Sequence, residues 1–584
     1  MVEGHSKNLA AANLSRPEIM ATRHAVSSGH YWSSQAAMQI LEAGGNAIDA
    51  GVAAGIATNV LESQFTGFAG VAPTMIYLAK EDRVLTISGV GPWPKAASCD
   101  YFHKHHGGRV PVGLLNTVVP STPAIWILAL EKYGTMSFGD VAAAGIRFAR
   151  DGFPMYPMFR DRVADARASF EQWRTTAEVF LPNGKLPALG ELFFQTDMAK
   201  SLQYMVDEEA TKSGQIEGLA AARAAFYEGD IAAAMTRHQA AEGGLMTMAD
   251  MADYRAEIET PTQTRFGDTD LYGCGPWSQG PMILQALNLL DGFDLKAMGH
   301  NSAQYVHSVC EAMKLAAADR EYYYGDPNFV DVPMTELLSA DYTTRRRDAL
   351  RPDVAWPELP PAGDVAGRTP PPWTPDPSTF PASVTTQTPA FETSHLDVID
   401  RHGNIFAATP SDPVTSGPIT PGTGLTASQW GSRAHTDPNH AAAVGPGRRP
   451  RMSANPMLAR RDGDFIMPFG SPGSEVLGQA QLQVFLNVSV FGMSPQAAVD
   501  SPRFASYSWP ASALPHTYLP GQLNLEAELY ESAGGALAAL GHKIEYWPSK
   551  KWSAGSVAIL RKNLKSGVIH AGADPRRTAY AAGW

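Results

Sequence analysis

A threonine, Thr393, opens the run Thr393-Ser394-His395-Leu396-Asp397-Val398-Ile399-Asp400, directly after a proline-rich stretch. A hydroxyl is a weak nucleophile without a base. An α-amino group, with a reference pKa of about 7.7–8.0, accepts such a proton near neutrality far more readily than a lysine amine does. A threonine freed at a new N-terminus therefore carries nucleophile and base on one residue. Before the cut, the Thr393 hydroxyl would attack the carbonyl of Glu392 and turn the peptide into an ester. Water would then release residues 1–392 from residues 393–584. Threonine is also an ordinary strand residue, and the position alone says no more than that.

A second element is Gly470-Ser471-Pro472-Gly473-Ser474, which leads into an expected helix over 475–491. Consecutive N–H groups at a helix start make a positive pocket suited to an oxyanion, although Ser474 could equally be a plain N-cap. No Gly-x-Ser-x-Gly elbow, phosphate-binding loop or His-Glu-x-x-His is present. His103-Lys104-His105-His106 offers metal-ligand types but reads as an exposed polar loop, so no metal and no cofactor are expected. Arg448, Arg449 and Arg451 follow Gly445-Pro446-Gly447, either as a solvated loop or as a grip on a substrate carboxylate.

The elements that must position these groups follow from periodicity. Helical spacing marks 33–41, 46–61, 123–133, 137–151, 302–324, 475–491 and 525–540. Strand-like pieces lie at 74–79, 84–88 and 270–272. Hairpins are expected for 394–399 with 404–409, for 457–460 with 465–469 around Asp462-Gly463, and for 556–560 with 568–572. Between the halves, residues 351–392 are proline-rich and poor in apolar side chains, which suits a surface linker or a mobile lead into a cleavage point. Helices first, then antiparallel strands with helices interleaved, predicts an α+β arrangement of helical layers around two sheets.

Composition narrows the function. The 584 residues are 44% hydrophobic with a net charge of −12, which suits a large core and disfavours nucleic-acid or anionic-membrane binding. Cys99, Cys274 and Cys310 are too scattered for a disulfide framework and read as small buried hydrophobes. No apolar run reaches the roughly 20 residues of a membrane span. The richest, 47–61, carries Asp49 and reads as a buried helix. Residues 1–23 lack the apolar core of a secretory signal, so a cytoplasmic protein is expected, or a periplasmic or secreted one if a signal has been removed.

Ordered motifs extend through most of the chain. They include 41–50 (LEAGGNAIDA), 118–123 (VVPSTP), 129–135 (ALEKYGT), 318–323 (ADREYY) with Gly325-Asp326-Pro327, and Thr393-Ser394-His395 with Asp400 and Gly403-Asn404. They continue with 445–450 (GPGRRP), Gly470 to Gly473, 501–504 (SPRF) and Asp574-Pro575-Arg576. In these the chain resembles the γ-glutamyltransferase family of N-terminal-nucleophile hydrolases. The resemblance implies a four-layer αββα sandwich shared by a large segment, 1–392, and a small one, 393–584, which stay together as a heterodimer after cleavage. Assembly of two such pairs is a further option. It implies Thr393 as nucleophile, Ser411 beside its amine, Gly473 and Ser474 as oxyanion donors, and Ser453 as a contact to the substrate carboxylate.

Departures from the family pattern fall on the substrate side. The stretch Ser88-Gly89-Val90-Gly91-Pro92 lacks the arginine that grips the glutamyl carboxylate. Pro413 stands for an asparagine, Met452 for a serine, and no acid for the substrate amine lies in 428–432. A buried amino-acid head group without ion partners would cost several kcal/mol. The sequence thus points to a self-processing amidohydrolase or acyltransferase acting on a small amide, without standard glutathione recognition. Trp93 and Trp430 suggest a less polar acyl group, or only core packing. A γ-glutamyl enzyme gripping its substrate with Arg448 or Arg451 stays open, as does an uncleaved binding protein.

Overall fold

Asn46 and Asp49 set the helix that underlies the Thr393 strand. In the computed structural model, which describes residues 14–170, 172–365, 367–368, 370 and 392–584, the Asn46 side chain accepts the N–H groups of Ile48 and Asp49. Asp49 accepts the Asn46 N–H in return, and this capping box starts the wholly buried helix Ala47–Leu61. Asp49 also accepts from Thr135 and Met136, anchoring the chain that enters the helix Phe138–Asp151. Asp400 does similar work at the hairpin after Thr393. It accepts from Ala47 N, His402 N and Asn404 N, so one turn is tied to the start of the buried helix.

Two seven-stranded antiparallel sheets form the middle layers. One runs, in spatial order, Ile19–Ala21, Ile569–Ala573, Ala558–Asn563, Phe465–Gly470, Met457–Arg461, Thr269–Gly273 and Thr262–Phe266. The other runs Tyr580–Gly583, Ala25–Ser28, Leu396–Ile399, Ile405–Ala408, Thr74–Leu78, Arg83–Ile87 and Ile258–Glu259. Ile399, Ile405 and Met75 meet Leu458, Ile466 and Leu560 between the sheets. The alternate residues Leu396, Val398 and Phe406 pack on the helices outside, with Val52, Ile56 and Trp126. Successive strand side chains point to opposite faces, so this split follows from the period of two. Helices Gly280–Leu290, Ala303–Tyr323 and Leu477–Ser489 cover the other sheet. The architecture is the αββα sandwich expected. Both seven-stranded sheets draw strands from both sides of Thr393, so neither segment can build either of them alone.

The structure differs from the sequence reading in three places. The helix expected over 525–540 begins at Ala527, because Leu523 and Leu525 are buried in a strand, Gln522–Glu526, that pairs with Lys543–Trp547. His103 to His106 form the last turn of a helix, Cys99–His106, rather than a loop. Ser98 caps its start and Gly107, at φ 59°, its end, and basic side chains suit a helix C-terminus. The sequence reading also left unmarked the helices of the 157–241 region, among them Pro157–Asp165, Thr196–Ala210, Gln215–Tyr227 and Asp230–Ala241.

The described part of the proline-rich stretch is pinned rather than loose. Trp356 N donates to Glu311, Leu359 N to Tyr518 and Gly363 N to Asp319. Residues 371–391 of that stretch lie outside the described residues. The three cysteines are buried and unpaired with one another. Among the described residues, no helix is long and apolar enough to cross a membrane.

Candidate active site

Thr393 is buried at the entry to the strand Leu396–Ile399, where it bridges Ser411 across the sheet. Its Oγ1 lies 2.9 Å from Ser411 Oγ, and Ser411 Oγ donates to the Glu392 carbonyl oxygen at 2.8 Å. Ser411 has a single proton, and the carbonyl can only accept. The shared bond must therefore run from the Thr393 hydroxyl to Ser411. The nucleophile's proton and the carbonyl it would attack thus meet on one serine. The Ser411 backbone is fixed by Val71, whose carbonyl accepts its N–H at 2.9 Å. A Cβ at Gly70 would lie 2.6 Å from Ser411 O, so the chain at 67–70 has to be glycine-rich to pack this closely.

The next residues hold the strand in place. Ser394 Oγ donates to Glu62 Oε2 at 2.6 Å, and Thr578 Oγ1 reaches Glu62 Oε1 at 3.3 Å. Burial pushes the Glu62 carboxyl upward, against the pull of Ser394 and the nearby Arg577 guanidinium. His395 pairs with Thr409 Oγ1 at 2.9 Å and with Asp397 Oδ1 at 3.0 Å. Burial raises the Asp397 carboxyl, with His395 opposing it. The His395 ring lies so close to Gly470 that a Cβ there would stand 2.2 Å away. This contact sets the 470–474 turn against the Thr393 strand.

At that turn, Gly473 has φ 127° and Ser474 φ 50°, and a short 3-10 turn, Ser474–Val476, leads into the helix Leu477–Ser489. The N–H groups of Gly473 and Ser474 have no acceptor among the described residues, as expected of first-turn donors. Pro472 lines one cavity with Thr393, Glu62, Ser556 and Arg577, and that cavity has room for only about one water. Glu475 locks the turn. It takes Arg320 at 2.9 Å, Ser512 N at 2.7 Å and Trp509 Nε1 at 3.2 Å.

The residues considered for substrate contact separate into two groups. Ser453 is buried and its Oγ has no partner among the described residues. Trp430 and Trp93 sit in a buried apolar cluster with Val71, Met452 and Leu477, which is the packing role the sequence left open. Arg451 donates to Arg320 O at 2.9 Å and Glu321 Oε1 at 2.8 Å, inside the ion network that ends on Glu475. Arg448 donates to Ala441 O. Both are therefore engaged with the protein itself. His103 Nε2 pairs with Thr436 O at 2.9 Å.

Three groups escaped sequence reasoning. Asp412, at φ 80°, accepts from Ser428 Oγ and Gln429 N. Burial lifts its carboxyl to about 6, while Ser428, Arg433 and Gln429 oppose the rise. A buried acid thus packs against the segment 428–432 from the residue after Ser411. Glu62 and Arg577 flank Thr393 from distant parts of the chain, 332 and 184 residues away along the hydrogen bonds that bring them there. Only the position of Asp412 beside Ser411 was a usable signal.

The comparisons agree with this fold. The family model described as gamma-glutamyltranspeptidase matches residues 33–584. The acylase ACY 1 proenzyme of Pseudomonas sp. (strain V22) is 30% identical over 577 residues, covering 96% of this chain and 94% of that protein. The solved structure described as "Structure of LmbA2991HD" superposes with a TM-score of 0.92 at 34% identity, covering 98% and 100% of the two chains. The cephalosporin acylase from Bacillus halodurans gives 0.83 at 25% identity, covering 100% and 99%.

Proposed function

The chain belongs to the gamma-glutamyltranspeptidase family, and from that membership we propose that it cuts itself between Glu392 and Thr393 and then hydrolyses a small amide through an acyl ester on Thr393. The observation that carries this reading is Ser411, which joins the Thr393 hydroxyl to the Glu392 carbonyl. In the uncut chain, Thr393 Oγ1 attacks the Glu392 carbonyl carbon. Its proton leaves toward Ser411, and the peptide nitrogen departs as the Thr393 amine. Water then cleaves the ester.

In the processed enzyme that amine is the base. It takes the Thr393 hydroxyl proton as Oγ1 attacks the substrate amide, and Ser411, released from Glu392, orients it. The N–H groups of Gly473 and Ser474 receive the oxyanion. The amine leaving group departs with the proton, and water, or an acceptor amine, releases the acyl group. Segments 1–392 and 393–584 stay together, because both seven-stranded sheets contain strands of each. Arg451 and Arg448 are engaged elsewhere, so the usual amino-acid head group finds no ready clamp there, and the names of the acylase relatives accord with a different acyl group.

Intact-mass measurement tests the reading. Wild-type protein yields two fragments, the smaller starting at Thr393, whereas Thr393→Ala stays whole and inactive. A wild-type chain that stays intact, or an active Thr393→Ala protein, would sink it.

A further inference from the structure

Three histidine rings lie stacked beside the ion network that ends on Glu475. His435 is the middle ring. Its centre lies 3.6 Å from that of His440 and 4.1 Å from that of His516, with interplanar angles of 18° and 9°. His435 and His440 share one loop, closed by the His435 N–H on Ala442 O at 3.1 Å and the Val444 N–H on His435 O at 2.8 Å. His516 comes from a distant turn, where its Nδ1 donates to Ala511 O at 2.9 Å. His435 Nε2 is buried without a partner among the described residues.

Two imidazoles and a carboxylate can hold a metal, and ligand atoms of His435, His440 and Glu321 lie within 4.8 Å of one another. The tautomer speaks against it. His440 Nδ1 accepts the Ala442 N–H at 2.9 Å, so the neutral ring keeps its proton on Nε2, the atom that faces Glu321. The stack is suited instead to exclude a further proton. Burial pushes all three imidazoles down, His440 to about 3, and Arg451 adds to the fall of each. Arg320 lowers His435 as well, and each ring is lowered by at least one other or itself lowers one. Glu321 opposes the fall at His440 and His516, and Asp437 opposes it at His440.

Glu321 links the stack to the reaction. Its Oε1 takes Arg320 Nε and Arg451 Nη2, both at 2.8 Å, while its Oε2 faces His440 Nε2 at 3.9 Å, too far for a hydrogen bond. Arg320 in turn holds Glu475 at 2.9 Å, next to the Gly473-Ser474 donors. A protonated stack would draw Glu321 toward its rings and away from Arg320. We infer that His435, His440 and His516 form an acid-released latch, which closes the 435–444 loop over Glu321 while its rings are neutral and so positions the oxyanion turn. The opened loop exposes the imidazoles at their ordinary value of 6.5. Closure is therefore fully favoured above about 6.5 and is weakened as pH falls toward about 3, by about tenfold per imidazole for each pH unit.

Hydrogen exchange on the processed wild-type enzyme tests the latch, with rates corrected for intrinsic exchange. Between about pH 7.5 and about pH 5.5, protection of 435–444 should fall by roughly 10- to 1,000-fold, for one to three protons taken up on opening. The turn at 474–476, whose Val476 N–H is donated to Gly473 O, should lose protection in step. The buried helix Ala47–Leu61 should not change. His435→Phe keeps a stacked ring that cannot titrate, and should remove about tenfold of the fall. His440→Gln keeps an acceptor for Ala442 N, should do the same, and decides alone if the first variant does not fold. Protection of 435–444 that is constant with pH, or a fall that both variants leave untouched, overturns the latch. A loss at 435–444 that leaves 474–476 protected overturns its hold on the oxyanion turn. The stack, Glu321 and the turn are all present before any cut, so uncut Thr393→Ala protein should give the same profile, and the latch and self-cleavage can fail separately.

Discussion

The Ser411 hydroxyl lies 2.9 Å from Thr393 Oγ1 and can only accept from it, because its one proton is donated to Glu392 O at 2.8 Å. One small side chain thus links the attacking oxygen and the attacked carbonyl before the cut. After it, the same hydroxyl is left beside the new amine. Ser411→Ala should slow self-cleavage by roughly 10- to 100-fold, the value of one or two well-placed hydrogen bonds in a dry site. Ser411→Thr keeps the hydroxyl and should process within a few-fold of wild type. The time course of the small fragment by intact mass gives both rates. Equal rates for the alanine variant and wild type would remove Ser411 from the mechanism.

Asp412 gives the site a pH signature. Its folded carboxyl is raised from 3.8 to about 6, chiefly by burial. The folded chain therefore binds this proton more tightly than the unfolded chain does. The stability it contributes is fully present below about pH 3.8 and is lost as pH rises through about 6. Two units correspond to roughly 3 kcal/mol. Asp412→Asn removes the titration while keeping an acceptor for Gln429 N. Relative to wild type, its unfolding free energy from urea melts should therefore gain up to about 3 kcal/mol between pH 4 and pH 7. Parallel pH profiles for the two proteins would show that Asp412 titrates normally.

The fold was legible where its signals are local. The helix over 46–61, the Asp462-Gly463 hairpin and the pairing of 394–399 with 404–409 rest on signals within a few residues, and each produced the element expected. The matched motifs mostly carry scaffolding. Arg320 pairs with Glu475 at 2.9 Å and Arg449 with Asp326 at 2.8 Å, so these residues tie segments together rather than react. The site was legible only along the strand that contains it. Glu62 reaches Ser394, and Arg577 reaches Glu392, through pairings that depend on how both sheets stack, and no spacing in one sequence encodes that. Asp412 was missed for a related reason. An acid was sought within 428–432, but the fold brings one to Gln429 N from the neighbouring segment.

Gly29 tests how tightly the Thr393 strand is held. A Cβ there would stand 2.1 Å from Ser394 Oγ and 2.3 Å from Glu62 Oε2. The Gly29 N–H is also donated to His395 O at 3.1 Å, so the backbone cannot simply retreat. Gly29→Ala should lose about 1–3 kcal/mol, the usual range for overpacking, and should process more slowly. Adding Ser394→Ala removes one of the two clashing atoms, so the double variant should recover part of the loss. Melting temperatures of the four proteins in that cycle measure the coupling. Strict additivity would mean that residue 29 does not press on Ser394.

Ser474 carries the opposite prediction, a substitution that should help. It sits at φ 50°, a left-handed backbone that costs a residue with a Cβ about 1–2 kcal/mol. Ser474→Gly relieves that strain but makes the unfolded chain freer by about 0.4–1 kcal/mol, so the net gain in stability should stay below roughly 1.5 kcal/mol. Activity should hold within about twofold, because the proposed oxyanion donor is the backbone N–H, which glycine keeps. The turn should also hold its shape. Its position is fixed by Glu475, through Arg320, Ser512 and Trp509, and by the His395 ring against Gly470, not by the side chain at 474. A fall of more than tenfold in kcat, with processing intact, would show that the Ser474 hydroxyl itself takes part and that the donor is not the backbone alone.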